Sequence, residues 1–393
     1  MKQFIIIATL ASAVFSVNGQ NSIDAVLRSV EANNKELQAN SQLTVSKKLE
    51  AKLDNNLADP SVSYVHQYGN REGMGFQGEL VASQSFDFPS VYVQRNKLAK
   101  SKAVSYDSQG AEFRQQILLQ AKELCLDLVL LNQQKALLDQ RRHNAEQLSE
   151  LYATRLQSGD ANILETNKID LELLNAKTEA RMNESARIAK LQELATLNGG
   201  IAIDFTDTTY RQTDEVLSFE ELRSEAITSN PQLLTLKSEQ VAAQRQLSVN
   251  KAKGLPGFEL GYRLNTATGG ERFNGFLVGV SIPLFSNRNN VRQAKAQSLY
   301  TDLQLESTTS AVESELHQLY NQSLALKTSM DEYNTVLKSQ NSLALLNKAI
   351  QTGQISMIEY FVDVTTLYQS MQNYMQLQNE YQKIMAQLYK YKL

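Results

Sequence analysis

The chain has 393 residues, 42% of them hydrophobic, and its 39 Lys and Arg against 42 Asp and Glu leave a formal net charge of −3. That balance is the wrong electrostatic footprint for nucleic acid, and one cysteine, Cys125, excludes an intrachain disulfide. Past the first residues no segment offers ~18 consecutive apolar residues, which excludes an ordinary transmembrane helix, so any membrane insertion must be as strands.

In chain order, Met1-Lys2 supplies a positive start and Phe4 to Phe15 an apolar stretch too short to span a bilayer. Residues 1–19 therefore read as a signal peptide, with small residues at Val17-Asn18-Gly19 and cleavage before Gln20. Only 5 Pro and 17 Gly interrupt the rest, so long regular elements follow. A helix is predicted over 22–56, strands over 61–69 and 75–88, and two helices over 92–157 and 162–198. After a linker at 206–217 come a helix over 218–251, strands over 257–265 and 273–285, and helices over 289–351 and 356–391.

The strands rest on period-two alternation. Even positions carry the apolar set: Val62, Tyr64, Tyr68, then Phe76, Leu80, Phe86, then Phe258, Leu260, Tyr262, then Phe276, Val278, Val280. Odd positions such as Gln77, Glu79, Glu259 and Arg263 are polar. A half-buried soluble sheet produces this pattern too; strands of ~10 residues with aromatic ends also fit a tilted crossing of a bilayer. The helices rest on apolar residues stepping by four and three, as in Ile117, Ala121, Leu124, Leu128, Leu131 and in Met357, Phe361, Val364, Tyr368, Met371. That narrow seam is coiled-coil packing, and its Met and Tyr members are core knobs before they are ligands. A helix over 92–157 would run ~99 Å at ~1.5 Å per residue, several times the width of a globular domain.

The chain is built twice. SIDAVLRSVEANNKEL (22–37) aligns with SFEELRSEAITSNPQL (218–233) at an offset of 196, which also relates Pro60 to Pro256. The offset becomes 194 at Pro89 and Pro283, at Gly159 and Gly353, and at Glu165 and Glu359. A first repeat over 20–205 and a second over 218–393 follow. Four strands cannot close a barrel, and open edges are not tolerated in lipid, so closure needs further copies. Two would give eight strands, three would give twelve and a lumen.

Gly159 and Gly353 suit the left-handed position that ends a helix, which places hairpin tips at ~158–162 and ~352–356. Glu165 and Glu359 lie six residues beyond them, where a carboxylate complements the positive end of the next helix. His66, His143 and His317 fall in separate elements without ligand spacing, and no phosphate loop or nucleophile elbow appears. The sequence offers no catalytic centre, no metal site and no cofactor site.

The duplicated helix, strand pair and helical hairpin resembles the TolC-like outer-membrane efflux family over essentially the whole mature chain. LYATRLQSGDANILETNKIDLELLNA (151–176) and LNKAIQTGQISMIEYFVDVTTLYQS (346–370) look like its two hairpin tips, and Pro89 and Pro283 resemble the prolines closing its strand pairs. The compact size is similar to the cation-efflux branch. The resemblance implies an α+β membrane protein: a homotrimer whose 12-stranded β-barrel in outer-membrane lipid is joined to a periplasmic α-helical barrel of coiled-coil hairpins. It implies a passive exit duct in a Gram-negative outer membrane, docked to a periplasmic adaptor (membrane fusion protein) and an inner-membrane efflux pump. The adaptor would meet the tips at Arg155, Leu156, Ser158 and Gly159 and at Thr352, Gly353, Gln354 and Ile355; a solvated turn is the plainer alternative. Glu359 matches the acidic position that narrows the family's tunnel mouth, and repeated by symmetry such carboxylates favour cations. Asp363 and Glu165 are further gate candidates, although Asp363 stands ten residues past Gly353 where the family has nine, ~100° around the helix. A soluble periplasmic coiled-coil scaffold or adaptor is the competing function. It requires the even strand positions to pack on the chain's own helices.

Overall fold

The computed structural model describes residues 23–211, 217–285, 287–338 and 342–393. The expected signal peptide and its cleavage site, and residues 212–216 of the expected linker, lie outside them.

The described chain is helix-rich with four strands. α1 (Ile23–Asn33) and α2 (Lys35–Leu53) precede β1 (Ser61–Tyr68) and β2 (Phe76–Phe86); α3 (Pro89–Ser158) and α4 (Ile163–Leu197) follow. Then α5 (Phe219–Ser229) and α6 (Pro231–Ala252) precede β3 (Gly257–Ala267) and β4 (Arg272–Ser281), with α7 (Asn290–Lys338), α8 (Ser342–Gln351) and α9 (Met357–Leu388) after them. Where one helix was expected over 22–56 there are two, because Asn34 leaves the helical region (ψ 122°) and its side chain caps α2 by accepting from Leu37 N at 2.8 Å. Asn230 does the same before Pro231, accepting from Gln232 N at 2.9 Å. Proline disfavours a helical residue before it and needs no donor at the first helical position.

The chain forms two compact units. One comprises residues up to Ala32, Ala121–Gln212 and Tyr333–Asn379. Its core joins α3, α4, α8 and α9 through Leu148, Tyr152, Ile169, Ile350, Met357, Tyr360 and Val364. The extended segment after α4 is strapped to α3: Phe205 is fully buried, and Asn132 Nδ2 donates to the carbonyls of Phe205 (3.3 Å) and Asp207 (2.9 Å).

The other unit comprises Asn33–Gln120, Thr213–Glu332 and Glu380–Leu393. Leu222, Ala226, Leu316, Ile384, Met385 and Leu388 form its core. It carries one antiparallel sheet in the order β1-β2-β3-β4. Every ladder joins even residues to even residues, as in Tyr64 with Leu80, Leu80 with Leu264, and Leu264 with Asn274. The apolar set of the four strands therefore shares one face. That face is bare: Tyr68 is 82% exposed, Phe276 92% and Val278 74%. The scaffold reading required these side chains to pack on the chain's own helices, and they do not. The outer edges of β1 and β4 carry no further strand among the described residues.

Candidate functional site at the hairpin tips and the strand faces

Both expected tips are built alike. After α3, Gly159 adopts φ +81°, its N–H donates to Leu156 O (3.2 Å), and Asp160 N donates to Arg155 O (2.8 Å). After α8, Gly353 adopts φ +72°, its N–H donates to Ile350 O (3.2 Å), and Gln354 N donates to Ala349 O (2.8 Å). This pair of bonds closes a helix only when the residue after its last turn is left-handed, which is why glycine stands there.

The next helix starts with a reciprocal cap in each case. Asn162 accepts from Glu165 N (3.0 Å) while Glu165 Oε2 accepts from Asn162 N (3.1 Å). Ser356 Oγ accepts from Glu359 N (3.2 Å) while Glu359 Oε2 accepts from Ser356 N (2.8 Å). Each carboxylate thereby satisfies a donor that the first turn leaves open. The backbone N–H of Ser356, then its hydroxyl, hold the Glu359 carboxyl below the ordinary range. Glu359 and Asp363 are both exposed one turn apart on α9, and Glu165 is half-buried.

The tips touch one another. Arg155 lies over the Tyr152 ring at 5.2 Å and reaches from α3 to Gln351 O at 3.3 Å, and Ile355 packs against the shared core. Leu156 is half-buried, whereas Ser158, Gly159, Thr352, Gly353 and Gln354 are exposed. Sequence reasoning missed two features. Leu164 and Ile358, equivalent positions in the two halves, stand exposed beside the tips, and an apolar residue next to each cap was a readable signal. The second is a tie across three helices: Arg141 of α3 binds Glu172 (2.7 Å) and Glu179 (2.8 Å) of α4, and lies 5.4 Å from the Tyr368 ring centre of α9. Asn144 completes it by donating to the Tyr368 hydroxyl at 3.2 Å. Burial works against the charge of Arg141, but the hydrogen bonds and charges of the two glutamates outweigh it and raise its pKa.

On the sheet, the polar face carries Glu79 paired with Arg263 at 2.8 Å. At the strand base, Asp87 and Glu259 line a cavity of about 270 Å³ with Ser85, Tyr92, Gly279 and Ser281. Asp87 is held there by Arg95 at 2.7 Å. Among the described residues no group of three or more His, Cys, Asp or Glu side chains is placed to hold a metal ion.

Residues 222–391 match the model of the outer membrane efflux protein family. No curated protein matches the chain. Among solved structures, CusC, described in the context of transmembrane channel formation, superposes with a TM-score of 0.79 at 15% identity, over 95% of this chain and 92% of that one. A membrane protein from Pseudomonas aeruginosa gives 0.80 at 16% identity over 95% and 90%, and the CmeC outer membrane channel of Campylobacter jejuni 0.71 at 15% over 94% and 85%. At these identities the likeness is one of fold.

Proposed function

We propose that the chain, whose residues 222–391 match the outer membrane efflux proteins, is a TolC-like outer-membrane efflux protein and the exit duct of a tripartite efflux system. One observation carries the reading: a four-stranded sheet with a bare apolar face and two open edges, in a chain otherwise made of long helices. Three copies pairing β1 to β4 close twelve strands, put the even face in lipid and leave the odd face around a lumen. The halves arise by duplication, the first nineteen residues are removed on export, and the helices extend into the periplasm.

The tips at Arg155, Leu156, Ser158, Gly159, Thr352, Gly353, Gln354 and Ile355, with Leu164 and Ile358 beside them, dock a periplasmic adaptor that links the duct to an inner-membrane pump. Glu359 and Asp363, with Glu165, act at the periplasmic mouth, where a ring of carboxylates favours cations. Transport through this component is passive. The test is to fractionate the envelope of a Gram-negative host, run the extracted protein unheated and boiled, and record single-channel currents. A heat-labile oligomer in the outer membrane with cation-favouring conductance is expected, and Glu359→Gln with Asp363→Asn should lower the cation preference severalfold. A soluble periplasmic species would sink the reading.

A further inference from the structure

If copies of the chain close a barrel, α2 with β1 of one copy must lie against α7 with β4 of the next. This follows from the order within the sheet-bearing unit. Lys48 of α2 pairs with Asp107 of α3, Gln109 of α3 donates to Glu239 of α6 (2.9 Å), and Gln240 of α6 donates to Asp302 of α7 (2.7 Å). Helices α2 and α7 are thus the two outer members of one row, as β1 and β4 are of the sheet. Both show bare apolar residues, Leu43, Leu49 and Leu53 on α2 and Leu299, Tyr300 and Leu303 on α7.

The sequence repeat supplies the register of the missing contact. The α3–α6 neighbours of one chain correspond to α7 of that chain and α2 of the next copy. Moving Gln109 on by 194 and Glu239 back by 196 lands on Leu303 and Leu43, an apolar pair. The helices run antiparallel, so eleven residues toward the strands Asp54 meets Arg292. Glu50 falls within one residue of Lys295, and Asp59 and Arg288 lie just past the strand-side ends of α2 and α7. All six charged side chains are exposed, and none makes an ion pair in its own chain among the described residues. At the corresponding α3–α6 positions inside the chain stand Leu98 with Asn250, Ser101 with Gln246, and Gln94 with Leu255. At these equivalent positions, therefore, opposed charge stands at the seam between copies and not between α3 and α6.

The strands agree. The β2–β3 ladder sets Phe86 opposite Phe258, and the same offsets carry this pair to Val280 and Val62, even to even. The apolar face continues across the seam without a step.

Resting on the reading of the chain as a closed barrel, we propose that copies are keyed to one another by Glu50, Asp54 and Asp59 on one edge and Lys295, Arg292 and Arg288 on the other. Single exposed pairs contribute little, but this register sets all three acids opposite bases, whereas a seam displaced by a helical turn matches at most two of them.

The measurement is the unheated gel mobility of the full chain extracted from the envelope. Glu50→Lys with Asp54→Lys and Asp59→Lys is expected to abolish most of the oligomer, as is Arg288→Glu with Arg292→Glu and Lys295→Glu. The six changes combined are expected to restore it, which separates lost pairing from misfolding. In a Cys125→Ser background, Asp54→Cys with Arg292→Cys should cross-link between copies, whereas Asp54→Cys with Lys253→Cys should not. If the unaltered chain is monomeric, the barrel reading itself fails. If it is oligomeric and the combined reversal gives no recovery, or the cysteines at 54 and 292 stay apart, the keyed seam is overturned.

Discussion

Glu359 serves two masters at once, since the carboxylate that would face a tunnel mouth is also the one that closes the first turn of α9. Its folded pKa is depressed by Ser356, so its contribution is fully present above the unfolded glutamate value and is lost as pH falls through the folded value. Amide exchange at Met357 to Tyr360 is therefore expected to quicken on the acid side of the ordinary carboxylate range. Glu359→Gln keeps the capping hydrogen bond without the charge and should remove that acid limb. An unchanged pH profile would take the capping role away. The cap was legible: Asn162 with Glu165 and Ser356 with Glu359 are three residues apart just ahead of an apolar run. The orientation of Asp363 was not legible, because one helix position is ~100° and only coordinates place it a turn from Glu359 on the exposed side.

At the scale of elements, the tie from Arg141 to Glu172, Glu179 and Tyr368 decides how three helices lie together near the tips. The Arg141 side chain is 12% exposed and that of Glu172 17%, so removing one partner leaves the other in a poorly solvated place. Arg141→Met is expected to lower stability by about 2–3 kcal/mol, measured by thermal unfolding in detergent. Arg141→Lys should recover only part of that, since a single ammonium cannot hold two carboxylates with the guanidinium's fork. A loss well under 1 kcal/mol for both variants would show the tie to be ornamental. These partners stand 31 and 38 residues apart along the chain, so no local pattern announces them. The strands were the opposite case, because alternation is local and survives whatever they pair with. The division of the first helix at Asn34 was missed although its counterpart Asn230 precedes a proline, since the apolar periodicity runs on through both caps.

For the whole molecule, the bare face of the sheet is the largest unanswered demand. The apolar positions of four strands stay exposed in one chain, and lipid is the medium that removes them from water without a protein partner. Val278 sits mid-strand on that face, 74% exposed. Val278→Lys is expected to weaken insertion by about 2–4 kcal/mol, read as a lower midpoint in denaturant refolding into vesicles. The same change at Leu277, which points to the other face, should be mild. Equal effects would mean that the two faces do not see different media.

The even-to-even ladders also constrain how such a chain can be edited. Adding one residue within β2 would turn every later side chain of that strand inside out, whereas adding two would leave the apolar and polar faces where they were. Between Pro60 and Pro89 the first half is two residues longer than the second between Pro256 and Pro283. The two halves thus keep the same parity from proline to proline, although the hairpin turns at 69–75 and 268–271 differ in size. Inserted tags or epitopes belong in those turns, where the frame does not run.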